Sequence, residues 1–183
     1  TGRGNAAFTI FPDGTTMLFD AGDAGEQAYA DPRPDSSRTP GQWIARYVRH
    51  MLEGTEVRLD YAVLTHFHPD HMGKIDGTEP MSANGNYRLR GLTEVLDAVP
   101  VRRLIDRGWP DYAYLPPPDD AMFKNYKAFV AAQTAAGKLT MAGAHAGSAS
   151  DIMEVRKPNA KDGFEARIIS VNDHVWTGLG EET

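Results

Sequence analysis

A chain of 183 residues with 41% hydrophobic side chains carries enough apolar material for one packed core, and 19 basic against 25 acidic residues leave a net charge of −6. That balance offers no general attraction to phosphate backbones or anionic membranes, and no apolar run approaches the ~20 residues needed to span a bilayer. With no cysteine, disulfides and thiolate ligands are excluded, so a transition metal here has only histidine and carboxylate donors.

The start, Thr1-Gly2-Arg3-Gly4-Asn5, has no signal-peptide character. Ala7–Phe11 and Thr16–Phe19 are β-prone runs around Pro12-Asp13-Gly14, which supplies turn geometry, so the first predicted unit is a hairpin. After Asp20-Ala21-Gly22, a stretch through Arg38 rich in Asp, Pro and Ser reads as an exposed loop. Thr39-Pro40-Gly41-Gln42 has the form of a capping box with proline at the first helical position. Trp43, Ile44, Tyr47, Val48, Met51 and Leu52 then fall on one face of a helix that ends at Gly54. Leu59–Thr65 is a nearly continuous apolar run, the pattern of a strand covered on both sides. It delivers the chain into His66-Phe67-His68-Pro69-Asp70-His71.

Met72–Arg90 is aperiodic and reads as a long loop that lines a site or moves. Leu92–Val99 predicts a short helix stopped by Pro100, Val101–Asp106 a strand, and Gly108–Pro118 a proline-rich loop. Ala121–Ala136 predicts a second strong helix closed by Gly137, with Met122, Tyr126, Phe129 and Val130 on its buried face. Leu139–Met141, Ile152–Val155 and Phe164–Val171 return to strand character. This alternation predicts an α/β layered domain with a mixed sheet, one domain over 1–183 whose two ends read as cut within or just beyond strands.

Three of the chain's six histidines and an aspartate occupy six consecutive positions at the end of a buried strand. His66 and His68 share a direction in extended backbone, whereas Asp70 and His71 are adjacent and point differently, so one cluster can feed two neighbouring metals. A chance cluster of solvated loop histidines is the weaker reading at this spacing.

With Thr65 before it and Met72-Gly73 after it, this stretch matches the HxHxDH signature of the metallo-β-lactamase superfamily, which the chain resembles. The opening hairpin and Asp20-Ala21-Gly22 are similar to that family's first strands and its Asp-x-Gly. The resemblance implies an αββα sandwich with mixed sheets, of which this chain reads as an incomplete, N-terminal portion. It makes His66 and His68 ligands of a first metal, Asp70 and His71 ligands of a second, and Asp70 the catalytic residue that also orients the attacking water. Asp20 either organises the site from behind or caps a turn. The family's further ligands are not evident in the chain. His145, in Gly143-Ala144-His145-Ala146-Gly147, is the better candidate for a third ligand, ahead of His174 and of His50 on the amphipathic helix. Arg107-Gly108-Trp109-Pro110-Asp111-Tyr112 and Asn172–Gly178 look similar to stretches of the ComEC-like branch, competence-associated metallohydrolase domains.

The implied cofactor is zinc, one or two ions in a complete domain, with manganese or iron as alternatives for this ligand set. The implied activity is hydrolysis by metal-activated hydroxide of a small-molecule substrate, with phosphoesters slightly favoured and nucleic acid left open. The superfamily's redox diiron members carry glutamate where this chain has His68, which favours the hydrolase. A catalytically incompetent binding or regulatory domain with a partial motif is the other alternative.

Overall fold

The computed structural model describes residues 4–24, 35–157 and 163–182. Its centre is a five-stranded mixed sheet built from β1 (Ala7–Ile10), β2 (Thr16–Phe19), β3 (Leu59–Leu64), β4 (Val101–Asp106) and β5 (Thr140–Gly143), ordered as numbered. β1 pairs antiparallel with β2, and β2 to β5 run parallel. The chain is therefore α/β with a mixed sheet, as its alternating pattern predicts. The expected loop through Arg38 falls in part on residues outside those described.

The hairpin forms where the sequence places turn residues. Gly14, at φ 88°, donates its N–H to the Phe11 carbonyl at 2.9 Å, and the Asp13 carboxylate accepts the Thr15 N–H at 2.8 Å. β3 is buried along its whole length, as the continuous apolar run requires. Alternate residues of the sheet serve two cores. Leu18, Ala62, Leu64 and Leu104 face the helical layer, and Met17, Tyr61, Val63 and Ile105 face the opposite side.

The helical layer consists of α1 (Pro40–Met51), α2 (Pro69–Met72), α3 (Leu92–Ala98) and α4 (Ala121–Ala135). The capping box at α1 is complete, with the Thr39 hydroxyl accepting the Gln42 N–H at 3.2 Å and the Gln42 side chain accepting the Thr39 N–H at 3.3 Å. α4 buries Met122, Tyr126, Phe129 and Val130, the face expected of it. In α1 the buried stripe runs through Gly41, Ile44, Ala45, Val48 and Leu52, leaving Tyr47 and Met51 exposed at 55% and 45%. The stripe leans this way because Gly41 abuts the Glu94 side chain of α3, which turns Tyr47 outward against the edge of Phe8. Among the described residues, no helix is long and apolar enough to cross a membrane.

The other face is covered by chain rather than by the strands expected there. Ile152–Val155 is not a strand, and of Phe164–Val171 only Ser170–Val171 (β6) pairs, with β7 (His174–Trp176), which in turn pairs with β8 (Glu181–Glu182). Ile152 and Phe164 still pack into the second core, Phe164 with its ring 4.5 Å from that of Phe11. The backbone donors of this segment find side-chain acceptors in place of a neighbouring strand. Val155 N–H donates to the Thr15 hydroxyl at 2.8 Å and Arg156 N–H to the Asp13 carboxylate at 2.9 Å.

This covering segment is locked by a buried charge. Asp60, with a fully buried side chain, accepts the Thr16 N–H at 2.9 Å and the Arg156 Nε–H at 2.6 Å. Burial alone would raise the Asp60 carboxyl, but these donors outweigh it and hold it below the usual carboxylate value. Its stabilisation is therefore fully present above the unfolded value of 3.8 and is lost as pH falls from there through the lower folded value. Asp60→Asn should cost about 3 kcal/mol at neutral pH, because Arg156 is left buried without its partner. It should also flatten the loss of thermal stability that the wild type shows below about pH 4. Equal acid sensitivity in thermal melts of the two proteins would contradict this reading.

Candidate metal centre

The parallel strands end on one edge of the sheet. There the chain places Asp20 directly after β2, Thr65 and His66 directly after β3, and Asp106 as the last residue of β4. In open α/β sheets this carboxyl edge is where ligands bind.

Asp20 adopts φ 52°, a left-handed conformation uncommon for a residue with a side chain. The strain is compensated by what the carboxylate reaches. Oδ1 accepts the Thr65 N–H at 2.9 Å, and Oδ2 accepts the Thr65 hydroxyl at 2.9 Å and faces His71 Nδ1 at 2.8 Å. Turn-capping and ring-orienting contacts are thus made by the same side chain. A carboxylate can only accept, so Nδ1 carries the proton and Nε2 keeps its lone pair. The Asn5 amide, donating to His71 Nε2 at 3.0 Å, supports the same tautomer.

Backbone packing around this contact is close. Ala21 N–H donates to the His71 carbonyl and Asp23 N–H to that of Pro69, at 2.9 and 3.0 Å, while Gly22 N–H donates to Asn5 at 2.9 Å. A Cβ on Gly22 would lie 1.7 Å from the Asp70 carbonyl oxygen, so only glycine lets the two segments cross. The Asp23 carboxylate binds the Arg90 guanidinium beneath them, with Nη2 at 3.1 Å from Oδ1.

Phe67 anchors the motif from inside. It is buried, with its ring 5.0 Å from Phe123, 5.7 Å from Tyr126 and 5.8 Å from Tyr112. With Phe67 inserted, His66 and His68 are left on the outer side of the turn, Nε2 of the first lying 3.1 Å from Nδ1 of the second. The His66 and His71 rings stand 3.8 Å apart. Burial pushes the His66 imidazole below its ordinary value, and the neighbouring His71 and His68 push it the same way. An imidazole that resists protonation, as His66 does, keeps the lone pair that metal ligation requires.

Two donors sharing one tetrahedral zinc at ~2.0–2.1 Å lie roughly 3.3 Å from each other. The His66 and His68 nitrogens, in hydrogen-bond contact at 3.1 Å, and the His71 Nε2 and Asp70 Oδ2 atoms at 3.6 Å bracket that separation. Among the described residues no three of them converge on one point. His145 is not joined to the cluster. It follows β5, two strands from β3 and so about 10 Å across the sheet, and its Nδ1 faces the Asp151 carboxylate at 3.1 Å. His50 pairs with Glu53 at 3.5 Å on the exposed side of α1, and His174 Nε2 lies 3.5 Å from Asp173.

Asp106 has no place in the sequence-based expectations. It is fully buried and accepts four donors: the Gly108 and Trp109 N–H groups at 2.8 and 2.7 Å and the Tyr112 and Tyr126 hydroxyls at 2.9 and 2.7 Å. Burial, reinforced by the Asp106 charge, pushes both tyrosine hydroxyls far above their ordinary value, which keeps them as donors. The only sequence signal for Asp106 is an acid closing a predicted strand. The contact fixes the loop over the cleft, a space of about 310 Å³ walled by His66, His68, Arg107 and Pro116–Pro118.

No family model, curated protein or solved structure matches the chain. Gly22→Ala should lower stability by about 2–4 kcal/mol, since the added methyl meets backbone that cannot move alone. Thermal or denaturant unfolding checks this, and a change under about 0.5 kcal/mol would contradict the close crossing described.

Proposed function

We propose that this chain is a metallo-β-lactamase-like domain of a metal-dependent hydrolase, with zinc as the expected metal and phosphoesters as the favoured substrates. The observation that carries the proposal is the set of paired donors at the end of β3, with the His71 tautomer held by Asp20. His66 and His68 would hold one ion, and His71 Nε2 with Asp70 a second. When bound, such a metal supplies Lewis acidity to a carbonyl or phosphoryl oxygen and acidifies water, from 15.7 towards about 7 in zinc enzymes.

The chain's own residues have separable tasks. Asp20 keeps the proton on His71 Nδ1, so that Nε2 remains a donor atom. Asp70 is half exposed beside that nitrogen, a carboxylate in position to orient water or take its proton. Phe67 holds the turn rigid through its aromatic neighbours, and the cleft beside His66 and His68 has room for one end of a small substrate.

A second reading, a binding domain that keeps part of the motif, is favoured by one observation. The histidine expected to complete the first site turns instead to Asp151. Zinc titration and turnover separate the two readings. The hydrolase reading expects zinc binding with proton release, weakened about 10–100-fold in Asp20→Asn, whose amide no longer fixes the His71 tautomer. It also expects hydrolysis of at least one of a phosphodiester, a thioester and a β-lactam, abolished in His68→Ala. Unchanged turnover in His68→Ala would remove the mechanism.

A further inference from the structure

Arg107 follows β4 and sits in the wall of the cleft, beside both His66 and His68. Its guanidinium lies over the Phe67 ring, 5.2 Å from the centroid, so it shares the anchor that positions the two histidines. Nη1 donates to Asn172 Oδ1 at 3.1 Å and, at 3.4 Å, to the Tyr114 carbonyl, and Nη2 donates to the Leu115 carbonyl at 3.0 Å. The Asn172 amide returns the contact, donating to the Arg107 carbonyl at 3.2 Å. Asn172 takes φ 57° in the turn between β6 and β7, so a hairpin tip is docked on this arginine.

These partners are all neutral. Arg58, Arg90, Arg156 and Arg167 are each paired with a carboxylate, whereas Arg107, like Arg49 and Arg88, is held by neutral acceptors and has no ion-pair partner among the described residues; of these three, Arg107 is the one that lines the cleft beside the histidines. Of its five N–H donors, three are engaged, and the Nε–H and one Nη2–H have no protein acceptor among the described residues. An arginine held this way is fixed in place by neutral acceptors. Its two remaining donors match the spacing of two oxygens on one phosphate or carboxylate. The adjoining wall, Leu115 and Pro116–Pro118, offers apolar surface and no competing donor side chain.

We infer that Arg107 is the specificity-determining residue of this cleft, gripping an oxyanion, phosphoryl or carboxyl, on a substrate whose reacting group lies at His66 and His68. The inference rests on the hydrolase reading for its reaction, but the anion site is a claim of its own. It selects anionic esters over neutral ones in a protein whose overall charge is −6 and would otherwise repel them.

The test compares the wild-type chain with Arg107→Met and Arg107→Lys on bis-p-nitrophenyl phosphate, a carboxylate-bearing β-lactam and neutral p-nitrophenyl acetate. Arg107→Met should raise KM for an anionic substrate about 10–100-fold more than for the neutral ester, and Arg107→Lys should recover part of the difference. Which of the two anionic substrates shows the effect tells a phosphoryl from a carboxyl site. An equal loss on anionic and neutral substrates would overturn the inference while leaving the hydrolase reading intact. Loss of that reading shows separately, as no turnover on any substrate or as turnover indifferent to His68→Ala. In that event calorimetric titration of the metal-free chain with inorganic phosphate decides, with circular dichroism confirming that the variants fold. Wild-type binding weakened about tenfold or more in Arg107→Met supports the anion site. No binding by the wild type, or equal binding by a folded variant, overturns it.

Discussion

One carboxylate organises the functional edge of this protein. Asp20 leaves β2 in a left-handed conformation and in doing so reaches the Thr65 backbone at the end of β3 and the His71 ring beyond it. The contact is affordable only because Gly22 lets the segment after Asp20 cross the backbone of Asp70 at a distance no side chain would allow. Every donor of the histidine motif is positioned relative to that crossing. The His71 tautomer follows from that tie, while the burial of Phe67 leaves His66 and His68 on the outer side of the turn.

The two ends of the sheet use buried acids for different purposes. At the carboxyl edge, Asp20 and Asp106 flank β3 and hold loops: the first carries the motif's histidine, the second the aromatic loop that roofs the cleft. At the opposite edge, Asp60 receives Arg156 and fastens the covering segment over the second core. Each is saturated with donors, which is what allows a charge to stay buried. The sheet between them is apolar on both faces, so it serves as a rigid platform and leaves the chemistry to its rim.

Local pattern made much of this legible in advance. The continuous apolar run of β3, the capping box of α1 and the buried face of α4 are statements about neighbouring residues, and the structure carries all three. The donors from His66 to His71 were readable for the same reason. Tyr47 and Met51 were misplaced because a helical period leaves the flank of the stripe undecided, and here Gly41 against Glu94 decides it. Ile152–Val155 and most of Phe164–Val171 read as strand because extended chain and paired strand share a composition. The difference lies in whether N–H groups meet a ladder: Val155 and Arg156 donate instead to Thr15 and Asp13, and Ile168 to the Ser148 carbonyl. The roles of Asp106 and Arg107 are not legible in the sequence, because each depends on a partner far along the chain, Tyr126 at 20 residues and Asn172 at 65.

The central claim is that the motif's side chains, placed by Asp20, form the inner ligand shell of a metal. Zinc-edge X-ray absorption on the chain loaded with one equivalent of zinc addresses it most directly. The account predicts a shell of nitrogen and oxygen at about 2.0–2.1 Å with the outer scattering of at least two imidazoles, reduced when His66 and His68 are replaced by alanine. An oxygen-only shell, or an imidazole signal indifferent to those replacements, would contradict it.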